Sequence, residues 1–152
     1  MKRVLVKSVF DAFEYVMDHY TPAGLEDMGE AKDTYAVISI QDTHTDGFGV
    51  EFTTSKYCEG VLTLHFDDIV KEVEGAVLFN TDMANEIIDF VEMNMDCDTL
   101  LVHCYAGQSR SMAVGLFVLH MLGRDNQEKL SRISPNMYVY NKLIETYENR
   151  NK

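Results

Sequence analysis

Short apolar runs recur along the chain and predict buried β-strands. They cover residues 4–6, 35–40, 61–66 and 99–102, and polar or turn-forming residues lie on either side of them. Runs of this length that are rich in Val, Ile and Leu are typical of strands covered on both faces in an α/β sheet. A weaker strand is expected at residues 50–53, within a stretch rich in Gly and Asp.

Apolar positions at helical spacing predict helices between these strands. Ser8 is a candidate N-cap for a first helix, which the turn-forming residues 21–24 would end. Its apolar positions recur every three or four residues: Phe10, Phe13, Met17 and Tyr20. A second helix opens at Thr81 and Asp82. Its predicted inner face also follows helical spacing: Ala84, Ile87, Ile88, Val91 and Met95.

Two further helices are predicted in the last third of the chain. Residues 111–122 are apolar almost all round, so this helix should lie at the centre of the domain. Ser134 as N-cap and Pro135 at the first helical position would start the last helix. Its predicted core stripe is Met137, Tyr140, Ile144 and Tyr147. The alternation of strands and helices over 152 residues predicts one α/β domain, residues 1–152.

Composition and charge exclude several classes of protein. Apolar residues make up 46% and charged residues 25% of the chain, which is typical of a globular protein. Thirteen basic and 25 acidic side chains give a net charge of −12, so the overall field repels nucleic acids and anionic lipid surfaces. No apolar run is long enough to span a membrane, and the N-terminus lacks a signal-peptide core. We expect a cytoplasmic protein that binds neither nucleic acid nor membrane.

The three cysteines, Cys58, Cys97 and Cys104, are an odd number without the paired spacing of metal ligands. Neither a disulfide framework nor a zinc site is expected, and Cys58 and Cys97 are interpreted as core or surface thiols. The histidines and aspartates between residues 42 and 65 match no common ligand set, so no metal is predicted.

The segment HCYAGQSRS, residues 103–111, joins a predicted buried strand to a predicted buried helix. A turn with Gly107 at its centre lets successive backbone N–H groups form an anion site at the helix N-terminus. Cys104 at the start of the turn faces these donors, which favours the thiolate. Arg110 can clamp two phosphate oxygens with its planar guanidinium, and Ser111 can donate a hydrogen bond to the sulfur. These groups suit attack of a thiolate on phosphorus.

HCYAGQSRS resembles the HCxxGxxR[ST] signature of the protein tyrosine phosphatases, and its AG and SRS resemble the dual-specificity branch. The resemblance implies an α/β domain with a central mixed, largely parallel β-sheet flanked by helices, and no cofactor. It implies that Cys104 is the nucleophile, that Ser111 eases departure of the sulfur and that His103 supports the loop from behind. Phosphate would be bound by Arg110 and by the loop N–H groups of Tyr105, Ala106, Gly107, Gln108, Ser109 and Arg110 itself.

The resemblance extends over about residues 61–147. VLTLHFDD ends in Asp67 and Asp68, where the family has the aspartate that protonates the leaving oxygen. Alignment on the strand makes Asp68 the general acid, with Asp67 pointing away or positioning its neighbour. RISPNMYVYNKL is similar to the R-x-I-x-P-N segment of the family and makes Asn136 a supporting residue. The following loop, residues 69–80, departs from the family in its spacing, so the acid could lie on a segment of different length or mobility.

The predicted function is hydrolysis of phosphate monoesters of tyrosine, serine or threonine in proteins, through a phosphocysteine intermediate. The loop lacks the additional lysines of phosphoinositide-cleaving relatives, which favours phosphoproteins over lipid headgroups. Two alternatives stay open at this point. One is a phosphate-binding module without turnover, and the other is a cysteine enzyme of the rhodanese or arsenate-reductase type. The sequence leaves the oligomeric state open.

Overall fold

Strands alternate with helices in the computed structural model, which describes residues 1–20, 33–44, 51–124 and 135–152. Four strands and four helices lie in these ranges. In chain order they are β1 (Arg3–Lys7), α1 (Val9–Met17), β2 (Tyr35–Gln41), β3 (Cys58–His65), α2 (Thr81–Met93), β4 (Thr99–His103), α3 (Arg110–Met121) and α4 (Met137–Arg150). The four main strands and the four helices expected from the sequence are therefore present. No helix in these ranges is long and apolar enough to cross a membrane.

The four strands form one sheet in the order β1-β4-β2-β3, and every pairing among the described residues is parallel. Val102 of β4 lies opposite Val6 of β1 on one side and Ile38 of β2 on the other. All residues of β2 and β4 are buried, as expected for central strands. The prediction of an α/β sheet flanked by helices is thus confirmed. Because the strands are parallel, their carboxyl ends meet at one edge of the sheet.

Helices cover both faces of the sheet. Leu100 and Val102 of β4 pack into the core formed with α2, α3 and α4, whereas Leu101 packs with Ala12 of α1 on the opposite face. The alternation follows from the period of two along a strand. Helix α3 is buried along nearly its whole length, as predicted. Its N-terminus is therefore held firmly by the core, and the loop that precedes it sits on a fixed base.

The buried face of α1 differs from the apolar stripe seen in the sequence. Ser8 caps the helix as predicted, with Oγ accepting a hydrogen bond from the Asp11 N–H. The residues that enter the core are Val9 and Ala12. The aromatic and methionine positions point outward: Phe10, Phe13 and Met17 are 67%, 47% and 42% exposed. The short side chain of Ala12 lets the helix approach the sheet closely. Tyr20 follows the helix, and residues 21–24 lie outside the described ranges.

The buried faces of α2 and α4 agree only in part with the positions predicted from the sequence. Four of the five predicted α2 positions are buried, but Met95 lies beyond the end of the helix and is exposed. Helix α4 is capped by Asn136, whereas the predicted cap Ser134 lies outside the described residues. Val139 and Leu143 fill the core, and the predicted stripe lies at its rim. Of that stripe, Tyr140, Ile144 and Tyr147 are partly buried and Met137 is exposed.

The weak strand expected at residues 50–53 is absent from the described part, residues 51–53. Phe52 instead packs its ring against His103, with ring centroids 5.1 Å apart. Residues 51–57 thus cover the α1 face of the sheet as irregular chain, and the edge strand β3 begins at Cys58. Residue 50 lies outside the described ranges.

Candidate active site

The loop of residues 104–109 connects β4 to α3 at the carboxyl edge of the sheet. Gly107 has φ of +72°, and a Cβ there would lie 2.5 Å from the carbonyl carbon of Lys7. Glycine is therefore required both by the backbone conformation and by the close approach of the end of β1. The Val9 N–H donates to the carbonyl of Tyr105 at 3.1 Å. These contacts fasten the first half of the loop to the junction of β1 and α1.

The Cys104 sulfur is buried at the start of this loop. Its Sγ lies 3.0 Å from Ser111 Oγ. Burial alone would raise the pKa of the Cys104 thiol. The Ser111 hydroxyl, the N–H groups of Ser111 and Gly107 and the charge of Arg110 outweigh this effect and lower the pKa below its ordinary value. The loop therefore favours a thiolate at Cys104, as its sequence suggested.

The pKa values of the other two thiols, Cys58 and Cys97, are raised rather than lowered. Cys58 begins β3, and Cys97 lies just before β4, so both are at the amino-terminal edge of the sheet. Burial raises the pKa of Cys58 to about 11 and also raises the pKa of Cys97. The length of β4 separates this edge from Cys104 by roughly 20 Å. Neither thiol is placed to form a disulfide with Cys104.

Arg110 is the first residue of α3 and its side chain is buried. Its Nη1 donates to Asp42 Oδ1 at 2.7 Å and to the carbonyl of Phe66 at 2.8 Å. Its Nε is buried and has no hydrogen-bond partner among the described residues. Buried donors are nearly always paired, so this edge of the guanidinium is suited to receive an oxygen of a bound anion.

Asp42 is a site residue that the sequence analysis did not identify. It follows β2 directly, and β2 lies next to β4 in the sheet. An aspartate at the carboxyl end of a central parallel strand was the available signal, because such positions face the same edge as the loop. Asp42 holds Nη1 of Arg110 from outside the loop and so orients the guanidinium.

His103 lies behind the loop in a chain of buried hydrogen bonds. Its Nδ1 is 3.1 Å from the carbonyl of Cys104 and its Nε2 is 2.7 Å from Ser39 Oγ. Gln41 Nε2 donates to the same Ser39 oxygen at 2.7 Å. These contacts fit a neutral ring in which Nδ1–H donates to the carbonyl and Nε2 accepts from the Ser39 hydroxyl. Burial lowers the pKa of His103, the Arg110 charge lowers it further, and both favour the same neutral form.

Asp68 lies on the other side of the loop. Its Oδ1 accepts hydrogen bonds from Ser109 Oγ at 2.8 Å and from Asn136 Nδ2 at 2.9 Å. Asn136 Nδ2 also donates to the carbonyl of Ile69, and Asn136 Oδ1 caps α4. The exposed Asp68 carboxylate is thus held against the loop by a residue at the start of α4.

Asp67 has a different environment from its neighbour. Its side chain is buried and accepts hydrogen bonds from the hydroxyl and N–H of Thr43 and from the N–H of Val77. Burial would raise its pKa, but these donors and the nearby His44 lower it. Asp67 therefore fastens the segment after β3 to the segment after β2, and Asp68 faces the loop.

The structure brings together most of the residues expected from the sequence. Cys104, Arg110 and Ser111 meet at the base of the loop, with Asp68 and Asn136 at one side and His103 beneath. The outer loop residues with exposed side chains are Tyr105, Ala106 and Gln108. Within the described ranges, no group of three or more His, Cys, Asp or Glu side chains is arranged to hold a metal ion.

The chain is similar to a viral tyrosine phosphatase. This is OH1 from the Orf virus, described as a tyrosine phosphatase with distinct structural features and triple substrate specificity. The identity is 16%, the TM-score is 0.47, and the match covers 99% of this chain and 72% of OH1. No protein-family model and no curated protein matches the chain. The similarity to OH1 is too low to carry a functional conclusion, for which the loop geometry is the basis.

Proposed function

We propose that residues 1–152 form one catalytic domain that hydrolyses phosphate monoesters of tyrosine, serine or threonine in proteins. The observation that carries this proposal is the grouping of three chemical functions around one loop. Cys104 is a thiol with a lowered pKa, Arg110 has a buried Nε without a partner among the residues that the structure describes, and Asp68 is held beside the loop. A nucleophile, an anion clamp and a proton donor are the groups that cysteine-dependent phosphoryl transfer needs.

In the first step the Cys104 thiolate attacks phosphorus and forms an S–P bond. The P–O bond to the leaving group breaks, and protonated Asp68 transfers its proton to the departing oxygen. Arg110 and the loop N–H groups bind the remaining phosphate oxygens, where negative charge is concentrated. The fixed N-terminus of α3 holds these donors in position before the substrate arrives.

In the second step a water molecule attacks the phosphocysteine. Asp68, now ionised, accepts a proton from the water, and the S–P bond breaks to release inorganic phosphate and the thiolate. The Ser111 hydroxyl, 3.0 Å from Sγ, donates to the sulfur as it regains negative charge. The same hydrogen bond that lowers the pKa of Cys104 therefore also assists the departure of the sulfur.

The alternatives differ in their requirements. A redox or sulfur-transfer enzyme with a resolving cysteine would need a second thiol near Cys104, whereas Cys58 and Cys97 lie at the opposite edge of the sheet. A phosphate-binding module without turnover would not need an acid beside the loop. The hydrogen bonds from Ser109 and Asn136 to Asp68 favour an enzyme over such a module.

The proposal is tested by release of phosphate from p-nitrophenyl phosphate under reducing conditions. We expect turnover by the intact protein and none by Cys104→Ser. For a second phosphate ester, whose leaving group is poorer than p-nitrophenol, the rate of Asp68→Asn should be about 10²- to 10⁴-fold lower than that of the intact protein. Cys97→Ser is the matched control, because this buried thiol is remote from the loop. Turnover that survives in Cys104→Ser, or binding of vanadate without any turnover by the intact protein, would contradict the proposal.

A further inference from the structure

The outer face of α1 carries two parallel stripes of different chemistry. Large apolar side chains occupy positions i, i+3 and i+7: Phe10, Phe13 and Met17. Carboxylates repeat the same spacing one residue later: Asp11, Glu14 and Asp18. All six side chains are exposed, whereas the helix uses its other side for packing against the sheet. An apolar stripe that the core does not use is typical of an interaction surface.

The apolar stripe begins at the mouth of the candidate active site. The ring of Phe10 contacts the ring of Tyr105 edge to face, with centroids 6.2 Å apart, and Tyr105 is 53% exposed. The Val9 N–H is bonded to the carbonyl of Tyr105, so the start of α1 and the loop are fixed relative to each other. At 1.5 Å per residue the stripe extends roughly 10 Å from Phe10 to Met17, which is the length of about three residues of extended chain.

The carboxylates lie along a groove beside this stripe. The groove has a volume of about 270 Å³ and is lined by Lys7, Asp11, Glu14, Tyr15 and Asp18. Its three carboxylates exceed its single lysine, and the chain as a whole has a net charge of −12. Charge complementarity therefore favours an occupant with basic side chains, and the neighbouring stripe favours apolar side chains in the same occupant.

We propose that the outer face of α1 is a docking surface for the phosphoprotein substrate. It binds a substrate segment that carries apolar and lysine or arginine side chains about three to five residues from the phosphorylated position. The apolar side chains lie on Phe13 and Met17, and the basic side chains pair with the carboxylates of the groove. This assignment rests on the proposed phosphatase function. It adds a preference for substrates that carry apolar and basic side chains near the phosphorylated position.

The test measures binding, so it does not depend on turnover. A fluorescent phosphotyrosine peptide with Leu-Lys-Leu at positions three to five on either side of the phosphotyrosine is titrated with Cys104→Ser protein. A second peptide carries Ser-Glu-Ser at those positions. We expect the first peptide to bind at least about tenfold more tightly, and Phe13→Ser with Met17→Ser to remove this preference. Met93→Ser is the matched control, because Met93 is 84% exposed on α2, which packs on the opposite face of the sheet from α1.

Any of the following binding outcomes would overturn the docking surface. Equal affinity for the two peptides, or a preference that survives in the double variant, would show that α1 does not bind substrate. A dimer in sedimentation velocity that the double variant dissociates would show that a second copy of the chain occupies the stripe. The double variant should also hydrolyse p-nitrophenyl phosphate as fast as the intact protein. If neither the intact protein nor the double variant hydrolyses p-nitrophenyl phosphate, the proposed function is rejected, and the peptide titration can still be interpreted.

Discussion

Replacing Ser111 by alanine removes one hydroxyl from the environment of the Cys104 sulfur. The hydroxyl lies 3.0 Å from Sγ in a fully buried position, where water cannot readily replace it. Alanine is smaller than serine and favours helix, so α3 and the loop should keep their structure. The N–H groups of Ser111 and Gly107 and the charge of Arg110 remain in the variant. The change therefore isolates one of the contacts that lower the pKa of the thiol.

The size of the effect follows from the energy of a hydrogen bond to a charged group. Such a bond contributes about 1.5–3 kcal/mol, and one pKa unit corresponds to about 1.4 kcal/mol. Losing a donor to the thiolate disfavours the ionised form, so the pKa of Cys104 should rise by about 1–2 units in Ser111→Ala. Breakdown of the phosphocysteine should slow as well, because the departing sulfur has lost the same donor.

The assay is the rate of alkylation of Cys104 by iodoacetamide as a function of pH, measured on the Cys104 peptide by mass spectrometry. Cys58 and Cys97 should contribute little, because both are buried and their pKa values are raised. Ser109→Ala is the control: this loop hydroxyl donates to Asp68 and is not among the groups that lower the pKa of Cys104. An unchanged pH profile in Ser111→Ala, or an equal shift in both variants, would refute the role given to the Ser111 hydroxyl.

Three further substitutions test the surroundings of the loop. Asp42→Asn should lower kcat/KM for an aryl phosphate about tenfold, mainly through KM, because Arg110 loses a charged partner at 2.7 Å; unchanged steady-state kinetics would contradict this. Ser39→Ala removes a donor to Nε2 of the neutral His103 ring, so the pKa of that histidine should rise towards its ordinary value in an NMR titration, and an unmoved pKa would count against the assigned tautomer. Asp67→Asn should lower the free energy of unfolding by about 2 kcal/mol in urea at pH 7. Because the folded-state pKa of Asp67 is lowered, its carboxylate stabilises the fold above about pH 4, and this contribution is lost as the pH falls through the lowered value. The free energy of unfolding of Asp67→Asn should therefore fall less steeply at acid pH than that of the intact protein. An identical pH dependence of the two proteins would argue against this role of Asp67.

The elements could be predicted from the sequence where local pattern and tertiary packing agree. Strands β2 and β4 are buried along their whole length and α3 along nearly all of it, so no choice of face was needed. Helix α1 has apolar residues on two faces, and helical spacing alone identified the larger side chains of Phe10 and Phe13. The core instead takes Val9 and Ala12, because the helix packs closely against the sheet where the Val9 N–H bonds to the loop. Periodicity reveals an apolar face but does not show whether the sheet or a partner covers it.

The candidate site also combines residues from one continuous segment with contacts between residues that are far apart in the sequence. The expectation for Cys104, Arg110 and Ser111 depended on one continuous segment, since a strand, a glycine turn and a helix place them together. The contact from Arg110 to Asp42 spans 68 residues, and that from Asn136 to Asp68 also spans 68. Asn136 was found through its motif, but nothing near Asp42 in the sequence resembles a motif. Its role emerges only when β2 and β4 are placed side by side.

The adjacent Asp67 and Asp68 have different surroundings at the carboxyl edge of the sheet, and these surroundings bear on the choice of general acid that the sequence left open. Consecutive side chains of extended backbone point in opposite directions, so Asp67 and Asp68 cannot both face the loop. Asp67 turns inward and binds Thr43 and the Val77 N–H, which fixes the start and the end of the segment between β3 and α2. Asp68 then points outward to Ser109 and stays partly in water. A general acid must reach the leaving oxygen and then the attacking water, and this requires a carboxyl group that faces the loop. The buried aspartate therefore positions the segment, which leaves Asp68 as the residue suited to donate the proton.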